Sequence, residues 1–447
     1  MANNHPEKSI GILWAQYGPY HYARTAALQK LAAPAKVHAI ELASRTADYE
    51  WSRSATSVDL ITLFPEAVTE KLSFWQVFRR ARQTFADLKL EVCILPSYAP
   101  SQSLAALLAA KSLGIRTVMM NESHAGTAQA RGVGAWVKRG LVRLFDAALV
   151  GGQPQKRYFT SLGLPAEKIF TGYDAVNNDY FACRAEVVRG QSSEVRGKYE
   201  MPEHYFLSLG RFVAKKNLSA LIRAYRKFLD ASLENRTHLI LVGSGEEEAK
   251  LRALCHELRL PAYNKTELKI TNHKSEIRNE MPGVHFYGFR QIEENPAFYA
   301  LADAFILPSS REEWGLVVNE AMASGLPVIV SEPAGCAEDL LEIISPNDSN
   351  FPGLARVRQA GLRSKLRRNG FVFDPHSVAE LSEALTLLAS QPEMRKIMGQ
   401  SSRAIVAKFS CENFARNALL AARTALGTRD SSETAATCPS VVNPQAD

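Results

Sequence analysis

The pattern that most restricts the fold of this chain is a repeated alternation of short apolar runs with longer helical patterns. In the first half, β-rich runs lie at 10–14, 37–42, 58–64, 90–95, 117–120 and 147–150, and helical patterns lie between several of them, at 22–31, 70–85 and 104–113. Strands that alternate with helices build parallel sheets covered on both faces. The first half is therefore predicted to be a doubly wound α/β domain.

The alternation restarts after residue 200. Predicted strands lie at 205–209, 238–242, 285–287, 304–307 and 328–330, and predicted helices at 218–230, 246–258, 296–301 and 316–324. A chain of 447 residues is also too long for one ordinary core. We therefore expect two doubly wound, Rossmann-like domains that face each other across a cleft, with ligands at the carboxyl ends of the strands.

Composition sets the predicted domain boundaries. The first domain is placed at 1–181 and the second at 201–410, and the stretch between them, 182–200, has few apolar residues and is interpreted as a linker. The polar tail at 428–447 is expected to be disordered. Two polar segments, 261–282 and 345–369, are predicted to be surface excursions.

Composition and charge also narrow the functional class. The start of the chain lacks the cationic lead-in of a signal peptide, and no apolar stretch approaches the roughly 20 residues of a membrane span, so a cytoplasmic protein is expected. The six cysteines form no Cys-x-x-Cys pair, which argues against a zinc site. Residues 1–200 hold 24 lysines and arginines against 17 acidic residues, whereas the rest of the chain holds 29 of each. The basic half either attracts anionic partners or carries ordinary solvated charge.

The strongest chemical signal is the segment PSSREEWGLVVNEAMASGLPVI, at 308–329. A strand ends before it and a helix starts near Gly315, so unpaired N–H groups and the helix dipole form a site suited to a diphosphate. Glu312 lies in the loop, and Glu320 follows near the buried face of the helix with seven residues between them. A carboxylate placed there needs hydrogen-bond donors, and sugar hydroxyls are good donors.

This segment resembles the Glu-x7-Glu signature of the retaining glycosyltransferases of family four, which have the GT-B fold. The resemblance implies that Glu312 contacts the donor sugar and that Glu320 holds the ribose of the nucleotide. It also places Trp314, Gly315 and Leu316 at the donor site.

The resemblance covers roughly 200–425 well and 5–180 only in layout. Relatives end in a helix that crosses back to the first domain, and 411–427 is the segment that matches this helix.

A second motif, LSLGRFVAKKNL at 207–218, is predicted to be a strand, a glycine turn and a helix start. Arg211 and Lys216 lie in the turn, where a guanidinium fork and an ammonium group can both reach a diphosphate. The spacing resembles the family's Gly-Arg-Leu-x-x-x-Lys-Gly turn, with Phe212 in place of Leu and Asn217 in place of the last Gly. By this resemblance, Arg211 and Lys216 neutralise the leaving nucleoside diphosphate without a metal ion.

Weaker resemblances add donor-site residues. In LILVGSGE, Gly243 and Gly245 match a turn that lines the nucleotide pocket, although a plain tight turn is the alternative. In FYGFR, Gly288 and Phe289 match a turn beside the nucleobase, with a structural aromatic as the alternative. The first βα loop departs from the family's paired-glycine form, and Gly18 alone is carried over.

The segment MNESHAG, at 120–126, follows the fifth strand, where many relatives carry a His or Asp that faces the anomeric carbon. Either Glu122 or His124 fits this position. His124 is taken as the catalytic residue because a histidine pKa suits proton transfer near neutrality. His21, in the first loop, is either an acceptor contact or an ordinary polar side chain.

The segment RGVGAWVKRGLVRLF, at 131–145, predicts a helix with cations beside an apolar face. Such a helix either packs into the core with solvated cations or lies on an anionic lipid surface. With the basic first half, it suggests a lipid-linked or anionic glycan acceptor and peripheral contact with the inner face of the cytoplasmic membrane.

Together these motifs predict a retaining, metal-independent glycosyltransferase of polysaccharide biosynthesis that needs no cofactor. Its partners would be a UDP- or GDP-sugar donor and a glycan or lipid-linked acceptor, and no nucleic acid is expected. The alternatives are a nucleotide-sugar isomerase (epimerase) of the same fold and a non-catalytic nucleotide-sugar-binding protein. Nucleobase, sugar, acceptor and oligomeric state stay open.

Overall fold

The computed structural model describes residues 8–46, 58–128, 133–231, 236–266, 281–344, 351 and 353–427. In the first domain the strands are β1 (Ser9–Trp14), β2 (Lys36–Arg45), β3 (Leu60–Val68), β4 (Val92–Pro96), β5 (Arg116–Asn121), β6 (Ala147–Val150) and β7 (Ile169–Thr171). They form a parallel sheet in the order β3-β2-β1-β4-β5-β6-β7. Residues of these strands are mostly buried, as expected for strands covered on both faces.

The helices of the first domain are α1 (Pro19–Ala32), α2 (Phe74–Asp87), α3 (Ser101–Ser112), α4 (Val133–Val142) and α5 (Gln153–Ser161). Side chains of α2, α3, α4 and α5 contribute to one core cluster, on one face of the sheet. Helix α1 contributes to the cluster on the other face.

The second domain repeats this plan. Its strands are β8 (Tyr205–Leu209), β9 (His238–Val242), β10 (Ala262–Asn264), β11 (Val284–Phe286), β12 (Ala304–Leu307), β13 (Val328–Ser331), β14 (Leu366–Arg367) and β15 (Gly370–Phe373). The sheet order is β10-β11-β9-β8-β12-β13-β15-β14, and β14 pairs antiparallel with β15 at one edge. The predicted fold class, two doubly wound α/β domains, is confirmed.

Helices cover both faces of the second sheet, and their side chains fill two core clusters. They are α6 (Asn178–Gly190), α7 (Ser192–Tyr199), α8 (Leu218–Asp230), α9 (Glu248–Glu257), α10 (Asn295–Leu301), α11 (Leu316–Ala323), α12 (Ala337–Leu340), α13 (Leu354–Gln359), α14 (Val378–Ser390) and α15 (Pro392–Val406). The chain then forms one more helix, α16 (Cys411–Leu426).

Helix α16 belongs to the second half of the chain but packs on the first domain. Ser410 caps its start by accepting a hydrogen bond from the Asn413 N–H at 3.2 Å. Phe414 and a row of alanines on one helix face are buried with residues of α1 and of the first sheet. Alanine side chains allow close approach, so the helix lies directly on the sheet. The predicted tail at 428–447 lies outside the described residues.

The segment interpreted as a linker, 182–200, is helical in the structure, where it forms most of α6 and all of α7. Ala185, Val188 and Tyr199 are buried in a core cluster of the second domain. Only a narrow stripe of each helix is covered, so most residues of the segment are polar. For this reason its composition predicted a linker although the segment forms packed helices. Part of the polar segment 345–369 is also ordered, as α13 and β14.

Two buried histidines lie side by side on β9 and β11. His238 Nδ1 and His285 Nε2 are 2.8 Å apart, and the His285 ring stacks on Tyr263. Burial lowers the pKa of His238 to about 4 and lowers the pKa of His285 further. Both rings are therefore neutral in the folded protein at pH 7.

We expect this pair to make the protein acid-sensitive. The unfolded chain protonates each histidine below about pH 6.5, whereas the folded protein does not until a lower pH. The contribution of the pair to the free energy of unfolding is fully present above pH 6.5 and is lost as the pH falls toward 4. At pH 5 the free energy of unfolding should be lower by about 2 kcal/mol for each histidine. Urea unfolding at pH 7.5 and 5 measures this loss. A His238→Leu/His285→Leu variant should lose much of the pH dependence; an unchanged dependence would contradict the assignment.

Candidate active site

The Glu312 loop and the Lys216 turn meet at the carboxyl ends of β12 and β8. Lys216 Nζ forms an ion pair with Glu312 Oε2, and Ser309 Oγ donates to the same oxygen at 2.9 Å. The side chains of Lys216 and Glu312 are 17% and 9% exposed. Two residues predicted to act at one site from separate motifs are therefore in direct contact.

A small pocket opens beside this pair. It is lined by residues at the end of β8 and by residues that include Arg211, Lys216 and Pro308. Arg211 is exposed at the pocket. The two predicted cations thus border one cavity at the strand ends, where a doubly wound sheet holds its ligands.

Two predicted glycines lie in the turn after β9, which packs against Gly210 and Phe212 in the lining of this pocket. A Cβ on Gly243 would lie 1.9 Å from the Gly210 carbonyl oxygen, and one on Gly245 would lie 2.4 Å from the Phe212 oxygen. Both glycines have positive φ, 136° and 155°, in the region that disfavours other residues. The β9 turn can therefore lie against the β8 turn only because these positions are glycine.

The nucleobase-side residues form the next turn. Gly288, at φ 70°, accepts a hydrogen bond from the Gly243 N–H at 2.8 Å, which ties the two turns together. Phe289 follows with a side chain that is 45% exposed. Contact of either residue with a nucleotide stays a prediction.

Trp314 is enclosed rather than open to a ligand. Its side chain is 0% exposed, and its indole N–H donates to Asn319 Oδ1 at 2.9 Å. A Cβ on Gly151, in the first domain, would lie 2.8 Å from the indole ring. The prediction of a donor contact by this ring is corrected on this point: the ring packs between the domains, and its N–H is satisfied internally.

Gly315 and Leu316 start helix α11 next to it. Gly315 is the N-cap residue with φ 105°, and a Cβ there would lie 2.8 Å from Leu307 Cδ2. Leu316 is half-buried against the core of the second domain. The loop backbone therefore lies close to β12 at this point, and the helix starts where the sequence predicts.

Glu320 is buried on α11, at the contact between the domains. It is 0% exposed, and Oε1 accepts a hydrogen bond from the hydroxyl of Tyr20, which lies on α1 of the first domain. Asn295 and Tyr299 also face the carboxylate. Burial raises the Glu320 pKa to about 7, against the opposing effects of Tyr20, Tyr299 and Asn295.

The His124 side chain contacts the backbone of the Glu312 loop. Its Nδ1 accepts from the Gly126 N–H at 3.2 Å, so the proton lies on Nε2, which is 2.9 Å from the Glu312 carbonyl oxygen. Gln155, buried on α5, donates from Nε2 to the Glu313 carbonyl oxygen at 2.9 Å. With both ring nitrogens engaged, His124 positions Glu312 in this structure, and proton transfer by it would require these bonds to break.

Glu122 lies near a buried group of charges. Asp174 is fully buried, and Arg24, also buried, donates from Nε to the Ala175 carbonyl oxygen at 2.8 Å. Burial raises the pKa of both Glu122 and Asp174, against the opposing effect of Arg24. Glu122 itself is half-buried and within electrostatic range of Glu312, so it keeps access to the contact between the domains.

Residues of the first βα loop bond to one another. The Gly18 N–H donates to His21 Nδ1 at 2.9 Å, and the His21 ring stacks on Trp14 with centroids 4.6 Å apart. Burial lowers the His21 pKa to about 3. In this arrangement His21 caps the helix start, which favours the structural alternative for this residue, and the Gly18 N–H is already bonded.

Three residues at the site could not be named from the sequence: Tyr20, Gln155 and Asp174. Tyr20 lies two residues after Gly18, and Gln155 follows the Gly151–Gly152 turn after β6. Their positions at the carboxyl ends of strands were a usable signal, but nothing local indicates which of them reach the second domain.

Comparison with known proteins gives a family match for the second domain. Residues 203–391 match the family described as Glycosyl transferases group 1. An uncharacterized glycosyltransferase of Methanocaldococcus jannaschii is 33% identical over 142 residues, which is 32% of this chain and 30% of that protein. The sulfoquinovosyl transferase of Arabidopsis thaliana is 35% identical over 129 residues, 29% of this chain and 21% of that protein. The matches thus span less than a third of these relatives.

The fold similarity extends over both domains. The crystal structure of Anabaena HepE in complex with UDP superimposes with a TM-score of 0.62 at 16% identity, covering 92% of this chain and 98% of that one. The chain therefore has the GT-B fold, and its residues 203–391 match the model of the glycosyl transferases group 1 family.

Proposed function

We propose that this protein is a retaining glycosyltransferase that moves a sugar from a nucleoside diphosphate donor to a glycan or lipid-linked acceptor. The observation that carries this proposal is the contact between Lys216 and Glu312 at the edge of a pocket that Arg211 also borders. A cation beside a carboxylate suits a ligand that is anionic at its phosphates and rich in hydroxyls at its sugar. The family match of the second domain supports the same activity.

The cationic and the acidic residues of the site would bind different parts of the donor. Arg211 and Lys216 would neutralise the diphosphate as the bond from the anomeric carbon to the phosphate oxygen breaks. Glu312 would accept hydrogen bonds from the transferred sugar, and Glu320 from the ribose. As the acceptor oxygen bonds to the anomeric carbon, its proton would pass to the departing phosphate oxygen. No protein base and no metal ion are needed in this scheme.

The donor is tested by thermal shift with UDP-, GDP-, ADP- and TDP-sugars on the wild type and on Glu320→Ala. One nucleotide series should stabilise the wild type by several degrees and the variant much less, because the variant lacks the ribose acceptor. UDP-sugars are the first to test, since HepE, which shares the fold, was crystallised in complex with UDP. A folded wild type that none of them stabilises would rule out the proposed donor site, and an altered sugar released without acceptor would indicate the isomerase instead.

We also propose that the first domain touches an anionic membrane surface. Within the described residues, no helix has the length and hydropathy needed to cross a bilayer. On α4, Trp136 is 74% exposed, and Arg139 beyond it is exposed too; on α2, Trp75 is 64% exposed and is followed by exposed Arg79. Helices α2 and α4 cover the same face of one parallel sheet, and each follows one of its strands. Both tryptophans therefore lie toward the carboxyl ends of the strands, which is the end of the sheet nearest the candidate site.

Vesicle flotation tests the membrane contact. We expect the wild type to bind vesicles that contain about 30% phosphatidylserine, whose negative surface attracts basic segments, and not vesicles of phosphatidylcholine alone. Trp136→Ala should weaken binding about 5- to 10-fold, because an exposed indole inserts at the lipid interface. Trp314→Phe serves as a control for tryptophan content. Equal binding to neutral and anionic vesicles, or none to either, would contradict the proposal.

A further inference from the structure

The contact between Tyr20 and Glu320 joins the two domains at the carboxylate assigned to the nucleotide ribose. Tyr20 lies in the first turn of α1, and Glu320 lies on α11. The tyrosine hydroxyl donates to Oε1 of the carboxylate. Glu320 has no exposed surface in this arrangement, so a ligand cannot reach its carboxylate without a rearrangement around it.

The other carboxylate oxygen of Glu320, Oε2, lacks a well-aligned hydrogen-bond donor in the described part of the chain. Glu320 Oε2 is buried, and no well-aligned hydrogen bond reaches it from the described residues, although Asn295 and Tyr299 face the carboxylate. A buried carboxylate oxygen without a good donor is costly. A ribose carries two adjacent hydroxyls and can donate to both oxygens, whereas the tyrosine has one hydroxyl and serves one oxygen.

We propose that Tyr20 is a lid on Glu320, which a nucleoside diphosphate displaces when its ribose binds. This inference rests on the proposed function, because it takes Glu320 as the ribose acceptor. The tyrosine hydroxyl and a ribose hydroxyl compete for the same oxygen. The closed lid therefore lowers the apparent affinity for the nucleotide by the fraction of molecules in which the site is open.

The lid also links donor binding to the first domain. Tyr20 follows Gly18 and Pro19 at the start of α1, and the same helix packs on α16. Displacing the hydroxyl removes one bond between the domains just as the nucleotide enters. Nucleotide binding would thus loosen α1 from α11, at the edge of the first domain where an acceptor would approach.

Isothermal titration of UDP and GDP tests the lid on three proteins: wild type, Tyr20→Phe and Tyr22→Phe. Phenylalanine keeps the packing of the ring and removes only the competing hydroxyl. We expect Tyr20→Phe to lower the Kd of the nucleotide that the wild type binds by about 3- to 10-fold. Tyr22→Phe, a matched change on the same helix, should leave the Kd unchanged.

The outcomes separate the lid from the proposed function. Wild type that binds a nucleotide while Tyr20→Phe binds it no tighter, or more weakly, overturns the lid and leaves the donor site intact. Wild type that binds neither of these nucleotides, nor ADP or TDP, overturns both. If Tyr20→Phe fails to fold, hydrogen exchange on wild type decides: added nucleotide should speed exchange in the first turn of α1 and slow it in α11, and slowing in both would overturn the lid.

Discussion

Replacing Lys216 by methionine is expected to lower the rate of donor turnover by about 10²- to 10³-fold, the usual cost of removing one charge that stabilises a developing anion. Two losses combine in this variant. The departing diphosphate loses a cation, and Glu312, which is 9% exposed, loses the ammonium group that compensates its charge. The measurement is the release of nucleotide from the donor identified by thermal shift, followed at saturating donor so that the effect on kcat is seen separately from binding.

The neighbouring lysine provides the control for this experiment. Lys215 has the same charge but pairs with Glu313, at 2.8 Å, and not with Glu312. Lys215→Met should reduce turnover by less than about 5-fold, because its ion pair is partly exposed and worth little. If both variants lost activity equally, general electrostatic attraction rather than the Lys216–Glu312 contact would explain the effect. A Lys216→Met/Glu312→Gln double variant should lose less than the product of the single losses, because the two side chains are in contact.

The largest expected loss of stability follows from Trp314→Ala. The indole is completely buried at the contact between the domains, and its N–H bonds to Asn319. Truncation removes a large apolar surface and leaves Asn319 Oδ1 without its donor, so the free energy of unfolding should fall by about 3–5 kcal/mol. Urea unfolding followed by far-UV circular dichroism measures the change.

Trp136→Ala is the matched control, since this tryptophan is 74% exposed. Its effect on the free energy of unfolding should stay within about 0.5 kcal/mol, the usual range for surface substitutions. Comparable losses in the two variants would mean that the Trp314 indole is not buried and hydrogen-bonded in the folded protein. Trp314→Phe should recover part of the stability, because it keeps most of the ring packing but not the N–H donor.

Several elements could be predicted from local pattern alone. Strands β6, β8, β9 and β12 were predicted with the bounds that the structure shows, because each is a continuous apolar run between polar turns. The helices 182–199 were not, since the apolar stripe that each one buries is too narrow to stand out in its composition. Strand β7, three residues long, was also missed for lack of pattern.

At the site, residue chemistry could be predicted but its arrangement could not. Glu312, Lys216 and Arg211 were named from their motifs; in the structure Arg211 and Lys216 line one pocket and Lys216 contacts Glu312, while their roles toward a donor stay predictions. Trp314 was expected to face the donor, yet it fills the contact between the domains. His124 was considered for proton transfer, yet both its ring nitrogens are engaged in hydrogen bonds.

The sequence by itself determined that this chain forms two α/β domains and that charged and glycine-rich turns follow their strands. These features depend on local periodicity and on residues that only certain turns accept, such as Gly243 at φ 136°. The tertiary structure alone decided which turns meet. Lys216 reaches Glu312 across 96 residues of chain and Tyr20 reaches Glu320 across 300. Contacts of that kind depend on how the domains pack, because no short-range pattern records the partner of a side chain so distant along the chain.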